Sequence, residues 1–454
     1  MKKQLLPNAN GRVDAFGWVC VSLQGAPYEL GWQHGQLLAR EIDDALGTIK
    51  FLAKWDTGED FETFVSTAAR DPATEFTSRI DREYVDEIRG IADGCRSVGV
   101  NTSFEELLTW NGYLDLMSWW PPTQASVRPT VGFQKWKGRG GHHCSAFIAN
   151  GSFTRNEKIV VAHNTWDRYA AADCNNIIFD LRPSTGNRIV MQGIPGCISS
   201  LTDFWETSAG LVIVETTISN FAGYYANGAP EFFRSRKACQ YANSIDEWCK
   251  IFSTNSNGAY ANSWLLGDVN KNEIARFELG LHSSGLVRTS DGFYSGFNTP
   301  FDLKIRNQEC AGEDEEFSDI RKNGARRLRW LQLSRKFRGR INARIARKMI
   351  SDHYDVYLER KNPSSRTICG HFEVDKAEFG GSEKQAPYYP RGSNDGKVAD
   401  SDMVRNLSLC ARWGHACGKR FNADAFIRRH PQWEWLEGRM RNRPSHPWSV
   451  FSAR

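Results

Sequence analysis

The stretch GRGGHHCSAFIANGSF, Gly138–Phe153, sets a cysteine at the head of a strand, directly behind a glycine-rich loop. Cys144 opens the apolar run Ala146-Phe147-Ile148-Ala149. Asn150-Gly151 then supplies a turn, and the chain returns as KIVVAHN, Lys158–Asn164. That is a β-hairpin, and further hairpins follow it. NNIIFDL turns through Pro183–Gly186 and returns as NRIVMQG, AGLVIVETTI follows, and SWLLGDVNKNEIARFEL folds back at Asp268–Asn272. Closely spaced runs of β-branched and aromatic residues with short turns predict antiparallel sheet.

Helical periodicity brackets these strands. Residues 1–119 read as a mostly helical N-terminal segment. Leu30, Leu37, Leu38, Ile42 and Leu46 lie close to helical period, as do Ile80, Tyr84, Ile88 and Ile91 ahead of a stop at Gly99. Ser103 and Glu106 have the spacing of a capping box. Residues 120–143 are rich in proline and glycine, basic and without period, as a linker would be. From Cys144 to residue 454 the chain reads as one unit. Its strands are interrupted by a helical stretch at about 230–252 and followed by helices after Arg321. Strands flanked by runs of helices indicate an α+β fold.

The composition fits a globular protein of 454 residues, with 40% hydrophobic and 24% charged residues. A net charge of +5, with no long block of like charges, argues against nucleic acid as a partner. No run of 18 apolar residues exists, so no stable membrane insertion is expected. MKKQLLPNANGRVDAFGW holds no signal-peptide core, and the eleven cysteines are scattered without CxxC spacing. The expected location is therefore cytoplasmic, with reduced thiols. Neither His142-His143 nor CARWGHAC (Cys410, His415, Cys417) has structural zinc spacing, so no metal and no cofactor is expected.

A cysteine at the start of a strand is ordinarily a small buried apolar residue. Here a second reading competes. If the bond between His143 and Cys144 is cut, Cys144 gains a free α-amine, whose ordinary pKa of about 7.7–8.0 suits a general base near neutrality. One residue then carries both nucleophile and base. Gly138, Gly140 and Gly141 would allow the tight turn that self-attack needs.

The segments HCSAFIANG…KIVVAHNTWDRY, GLVIVETTISN, SWLLGDVNKNEIARFELG, GFYSGFNTP and GKVADSD resemble, in this order, the N-terminal nucleophile hydrolases. CSA, HNTW and ETTI are similar to phospholipase B-like proteins. GAPYELGWQHGQLLAREI and EYVDEIRGIADG look like acyl-CoA:6-aminopenicillanic acid acyltransferase-like hydrolases. The resemblance implies a four-layer αββα sandwich, self-cleavage before the nucleophile, and hydrolysis or transfer of an acyl group. It casts Cys144 as nucleophile, Asp167 as the acid that orients it, Asn298 as oxyanion donor and Arg326 as the arginine steadying the site. His163, Asn164, Trp166 and Thr217 would line the pocket. Asn262, just before a strong strand, is a rival oxyanion donor. Bile-salt hydrolases carry an arginine where Asn164 falls, so their substrates are not carried over.

The expected function is that of an autoproteolytic hydrolase or acyltransferase cleaving a linear amide through a Cys144 thioester. Its partner would be a small-molecule acyl amide or acyl donor, and a homo-oligomer is compatible with this reading. The alternatives are a phospholipase B-like lipid deacylase and an inactive relative that only binds.

Overall fold

A computed structural model describes residues 1–71, 74–117, 144–311, 313–376 and 387–454. Residues 118–143, including His143 and all of the expected linker, lie outside the described residues. The strands, in chain order, are β1 (Lys2–Leu5), β2 (Gly11–Ala15), β3 (Trp18–Gly25), β4 (Ser145–Gly151), β5 (Glu157–Asn164), β6 (Trp166–Arg168), β7 (Ile177–Pro183), β8 (Ile189–Gly193), β9 (Phe204–Thr207) and β10 (Leu211–Thr217). They continue as β11 (Asn262–Asp268), β12 (Glu273–Leu279), β13 (Ser284–Thr289), β14 (Phe293–Gly296), β15 (Tyr354–Asp355), β16 (Arg360–Lys361), β17 (Arg391–Ser393), β18 (Asp395–Asp400), β19 (Ser408–Trp413) and β20 (Ser449–Ser452).

Two large sheets form, one in the order β1-β20-β19-β18-β5-β4-β14 and the other β13-β12-β11-β10-β9-β8-β7-β3-β2. The predicted hairpins β4–β5, β7–β8 and β11–β12 are all present and antiparallel. Alternation along β4 shows how the layers are built. Ala146 and Ile148 point into the core between the sheets, with Val161, Ile178, Val212 and Leu265. Phe147 and Ala149 point the other way, onto helices Gly324–Phe337 and Ala343–Ile350 through Trp330, Leu333, Ala346 and Met349. A strand buried on both faces has no polar side, which is why it reads as a continuous apolar run.

The outer face of the nine-stranded sheet is covered by helices Pro27–Thr57, Arg82–Ser97, Phe104–Asn111, Glu231–Tyr241 and Ile245–Ser253. The result is helix, sheet, sheet, helix, a four-layer αββα sandwich. The third helix is capped as its sequence predicts, with Glu106 N–H donating to Ser103 Oγ and Ser103 N–H to the Glu106 carboxylate, both at 3.1 Å.

Two features differ from the sequence reading. Helix begins only at Pro27, after three strands. The sheets are not purely antiparallel, since β3 runs parallel to β7 over seven residue pairs and β1 parallel to β20. In WVCVSLQG the run from Trp18 to Leu23 is fully buried, so it lacks the polar-apolar alternation that marks a half-exposed strand.

Candidate active site

Cys144 is buried where β4 begins, and Arg326, on the first turn of helix Gly324–Phe337, is aimed at it. Nη1 of Arg326 donates to the Cys144 carbonyl at 2.6 Å, to Asn298 Oδ1 at 3.0 Å and to Ser145 Oγ at 3.3 Å. Nη2 donates to the Phe297 carbonyl at 2.8 Å and to Asn323 Oδ1 at 2.6 Å. The guanidinium lies over the Trp166 indole, 4.5 Å from its centroid. A planar fork is suited to gathering several acceptors, and here it ties the Cys144 backbone to the residues just after β14 and to its own helix. Arg326 is wholly buried, although its helix also carries Arg327 and Arg329.

Asn298 is fixed at both ends of its amide. Its oxygen accepts from Arg326 and its Nδ2 donates to the Thr217 carbonyl at 2.8 Å. Its φ is +70°, an uncommon conformation that asparagine tolerates. Thr217 shares a 2.6 Å hydrogen bond between Oγ1 and the Tyr260 hydroxyl. Asn262 sits opposite Thr217 in the β10–β11 ladder, so the two side chains share a face, and Glu215, two residues from Thr217, shares it too. Both polar atoms of the Asn262 amide are buried without a hydrogen-bond partner among the described residues.

Asn164 does not line the pocket as expected. Its oxygen accepts from the Ser145 N–H at 3.1 Å and from Trp166 Nε1 at 3.0 Å. Its Nδ2 donates to the Ile350 and Ile368 carbonyls. With every donor and acceptor used, Asn164 is framework. Trp166 is likewise fully buried beneath Arg326.

One ligand atom each of Cys144, His163 and Asp203 lie within 4.8 Å of one another. Asp203 escaped the sequence reading. It sits in an irregular turn before β9 and carries φ +69°, with Leu201 at +47°. Non-glycine residues in this region cost energy and concentrate at functional sites. Asp167 lines a pocket together with Asp203, and its Oδ1 accepts from the Arg168 N–H at 2.7 Å.

Charge placement around the sulfur is uneven. Burial first, then the charge of Asp203, pushes the Cys144 thiol well above its ordinary range, while the Trp166 backbone N–H and Lys397 pull it down. Burial, followed by the positive charge of Lys397, drives His163 well below its ordinary value, so its imidazole is neutral. Burial and the Asp203 charge raise Glu215 well above the carboxylate range. Lys397 is itself buried and held by Thr165 Oγ1 and the Thr202 carbonyl, each at 2.8 Å. It lies within GKVADSD, a motif in which nothing marks a buried ammonium.

The pocket's lining includes the apolar Ile49, Trp110, Tyr113, Leu114, Ile194 and Leu201 and the polar or charged Thr165, Asp167, Arg168, Asn175 and Asp203. Arg168 is anchored by Asp56 of helix Pro27–Thr57 at 2.8 Å. The pocket therefore draws on the N-terminal helices and on the strand just after the β4–β5 hairpin.

Residues 61–449 match the family model described as Phospholipase B. The chain belongs to the phospholipase B family. A "Phospholipase B" of Crotalus adamanteus is 28% identical over 296 residues, covering 59% of this chain and 51% of that protein. "Phospholipase B-like 1" of Homo sapiens is 29% identical over 192 residues, covering 36% and 34%. An "Uncharacterized protein" of Archaeoglobus fulgidus is 24% identical over 235 residues, covering 51% and 38%. This phospholipase B family chain thus spans about half or less of the length of these relatives.

Among solved structures, penicillin V acylase from Agrobacterium tumefaciens aligns with TM-score 0.30 at 10% identity, covering 60% of this chain and 83% of that one. A mutant conjugated bile acid hydrolase from Clostridium perfringens aligns with TM-score 0.33 at 10% identity, covering 59% and 89%. No helix among the described residues is long and apolar enough to cross a membrane.

Proposed function

We propose that this hydrolase-family protein is a cysteine acyl hydrolase that cuts its own chain before Cys144 and then cleaves linear amides of apolar acyl groups. The observation carrying this reading is the cluster of Cys144 Sγ with neutral His163 and Asp203, of which Asp203 also lines a pocket of mixed apolar and polar residues.

In the uncut chain the thiol is held protonated by burial and by Asp203. In the first step Sγ attacks the carbonyl carbon of residue 143, and its proton passes to the departing Cys144 nitrogen. Water then hydrolyses the resulting ester-like thioester bond, leaving residues 1–143 and 144–454. The new α-amine becomes the base. In turnover it takes the thiol proton as Sγ attacks the substrate carbonyl, and it protonates the leaving amine as the C–N bond breaks. Water or a second amine resolves the acyl-Cys144. Asn262 is the better oxyanion donor of the two asparagines, because its amide is buried and unengaged whereas that of Asn298 is spent on Thr217 and Arg326. The apolar lining residues take the acyl chain. Arg168, Asp167 and Asn175 face the polar end of the substrate.

Lipid deacylation remains a second reading, supported by the family's name and by the pocket's apolar residues. One experiment addresses both. Wild-type and Cys144→Ala protein are incubated separately with a series of N-acyl amides and with lysophosphatidylcholine, and the Cys144 peptide is weighed for a bound acyl group. Amide turnover with an acyl adduct on Cys144, and no turnover in the variant, is expected. Hydrolysis that survives Cys144→Ala would remove the proposal, and an adduct formed only from the lipid ester would replace it with the second reading.

A further inference from the structure

Far from any recognisable metal motif in sequence, three chain segments deliver four ligand side chains to one point. His353 follows helix Ala343–Ile350, Cys369 and His371 flank Gly370, and Cys417 follows β19. One ligand atom from each lies within 4.8 Å of all the others. Cys369 and His371 are fully buried, while His353 and Cys417 are partly so.

The spacing of these atoms is informative. Nε2 of His371 is 3.5 Å from Cys369 Sγ and 3.5 Å from Cys417 Sγ. In a tetrahedral zinc site, with sulfur about 2.3 Å and nitrogen about 2.05 Å from the ion, a sulfur and a nitrogen stand about 3.5 Å apart. Nε2 of His353 is buried with no hydrogen-bond partner among the described residues, and its ring centroid is 5.0 Å from that of His371.

The surroundings are those of a metal site as well. Nδ1 of His371 pairs with Glu373 Oε1 at 2.8 Å, which leaves Nε2 facing the two sulfurs. A carboxylate behind a histidine is the usual outer support of a zinc ligand. Glu373 is itself held by the Tyr169 hydroxyl at 2.8 Å and Lys419 Nζ at 3.3 Å. The Lys419 backbone N–H donates to Cys417 Sγ at 3.3 Å.

We propose that His353, Cys369, His371 and Cys417 bind one Zn²⁺ as a structural site. Soft thiolates with imidazoles in tetrahedral array select zinc among the common divalent ions. The rival chemistry is a Cys369–Cys417 disulfide, which would need the sulfurs about 2.05 Å apart and would give two converging imidazoles nothing to hold. The ion would pin the Cys-Gly-His turn against the active-site framework. A Cβ on Gly370 would come within 2.6 Å of the Trp166 indole, and Trp166 carries Arg326. This assignment does not depend on the reaction proposed for Cys144.

The test uses the full chain, purified with reductant and without chelator. Plasma mass spectrometry should find about one zinc per chain. Protein stripped of metal and titrated with Co²⁺ alone should develop the thiolate charge-transfer and visible bands of tetrahedral cobalt. A Cys369→Ser/Cys417→Ser variant should lose both signals, while Cys310→Ser, outside the cluster, should keep them. The wild-type readings stand even if the double variant fails to fold. Wild-type protein with neither zinc nor the cobalt spectrum overturns the proposal. So does a linked Cys369–Cys417 peptide in unreduced, alkylated protein.

Discussion

Arg326 holds the carbonyl of Cys144 at 2.6 Å across 182 residues of sequence. Chain ends fray unless tied down, so on the proposed cleavage Cys144 would become an N-terminus that needs such a tether. Arg326→Ala would strip partners from the Cys144 and Phe297 carbonyls and from the amides of Asn298 and Asn323. Each buried orphan costs about 1–3 kcal/mol. A loss of at least about 3 kcal/mol in urea unfolding is expected, with at least 100-fold lower turnover. Arg326→Lys keeps the charge but not the fork, and it should recover stability only in part. Wild-type turnover in Arg326→Lys would show that charge alone is needed.

The two candidate oxyanion asparagines should behave oppositely. Asn262→Ala removes an amide that has no hydrogen-bond partner among the described residues, so stability should be unchanged or higher. Turnover should nevertheless fall by about 10²–10³, the usual effect of losing one oxyanion donor. Asn298→Ala cuts ties to Thr217 and Arg326 and places alanine at φ +70°, so it should destabilise. Asn298→Gly relieves the backbone while still losing the ties. Paired kinetics and thermal melts distinguish the roles, and an Asn262→Ala protein with normal kcat would return the donor role to Asn298.

The hairpins around Cys144 were legible because each pairs a short apolar run with a turn dipeptide, and local signals suffice for local pairing. The GWQHG and GIADG motifs were legible only as resemblance. Their physical meaning is a helix crossing, in which a Cβ on Gly31 would lie 1.8 Å from the Glu87 carbonyl oxygen and one on Gly90 2.2 Å from that of Tyr28. Asp203, Tyr260 and the metal-ligand cluster were not legible. Each reaches its place through loops whose φ values or long-range contacts leave no periodic trace. Arg326 was legible only through the resemblance, because a helix carrying Arg327 and Arg329 beside it has the composition of a solvent-exposed face.

The strands missed at the N-terminus carry their own consequence. If the chain is cut before Cys144, β3 belongs to the smaller piece, yet it pairs with β2 on one side and in parallel with β7 on the other, inside the nine-stranded sheet. Helix Pro27–Thr57 packs its buried face into the same core and supplies Ile49 to the pocket. The smaller piece is therefore structural, not a releasable cover. Cleaved protein should migrate as one species in native size-exclusion chromatography and as two bands on a denaturing gel. Release of residues 1–143 with activity retained in the remainder would contradict this.

Acid should weaken the fold through His34. The imidazole is buried, and its Nε2 accepts from the Gly196 N–H at 2.9 Å, so it must be neutral. Burial lowers its pKa to about 3, against an ordinary value of about 6.5 in the unfolded chain. Between these values the unfolded chain binds a proton that the folded chain refuses. Stability from this residue is therefore complete above about pH 6.5 and falls by about 1.4 kcal/mol per unit as pH drops towards 3. His34→Gln can offer an oxygen to Gly196 without titrating. Urea unfolding at pH 7, 6 and 5 should show the wild type losing stability faster than the variant, with the gap closing as pH falls. Groups elsewhere titrate alike in both proteins and cancel in the difference. Parallel curves would mean that His34 stays neutral in both states or is protonated in the fold.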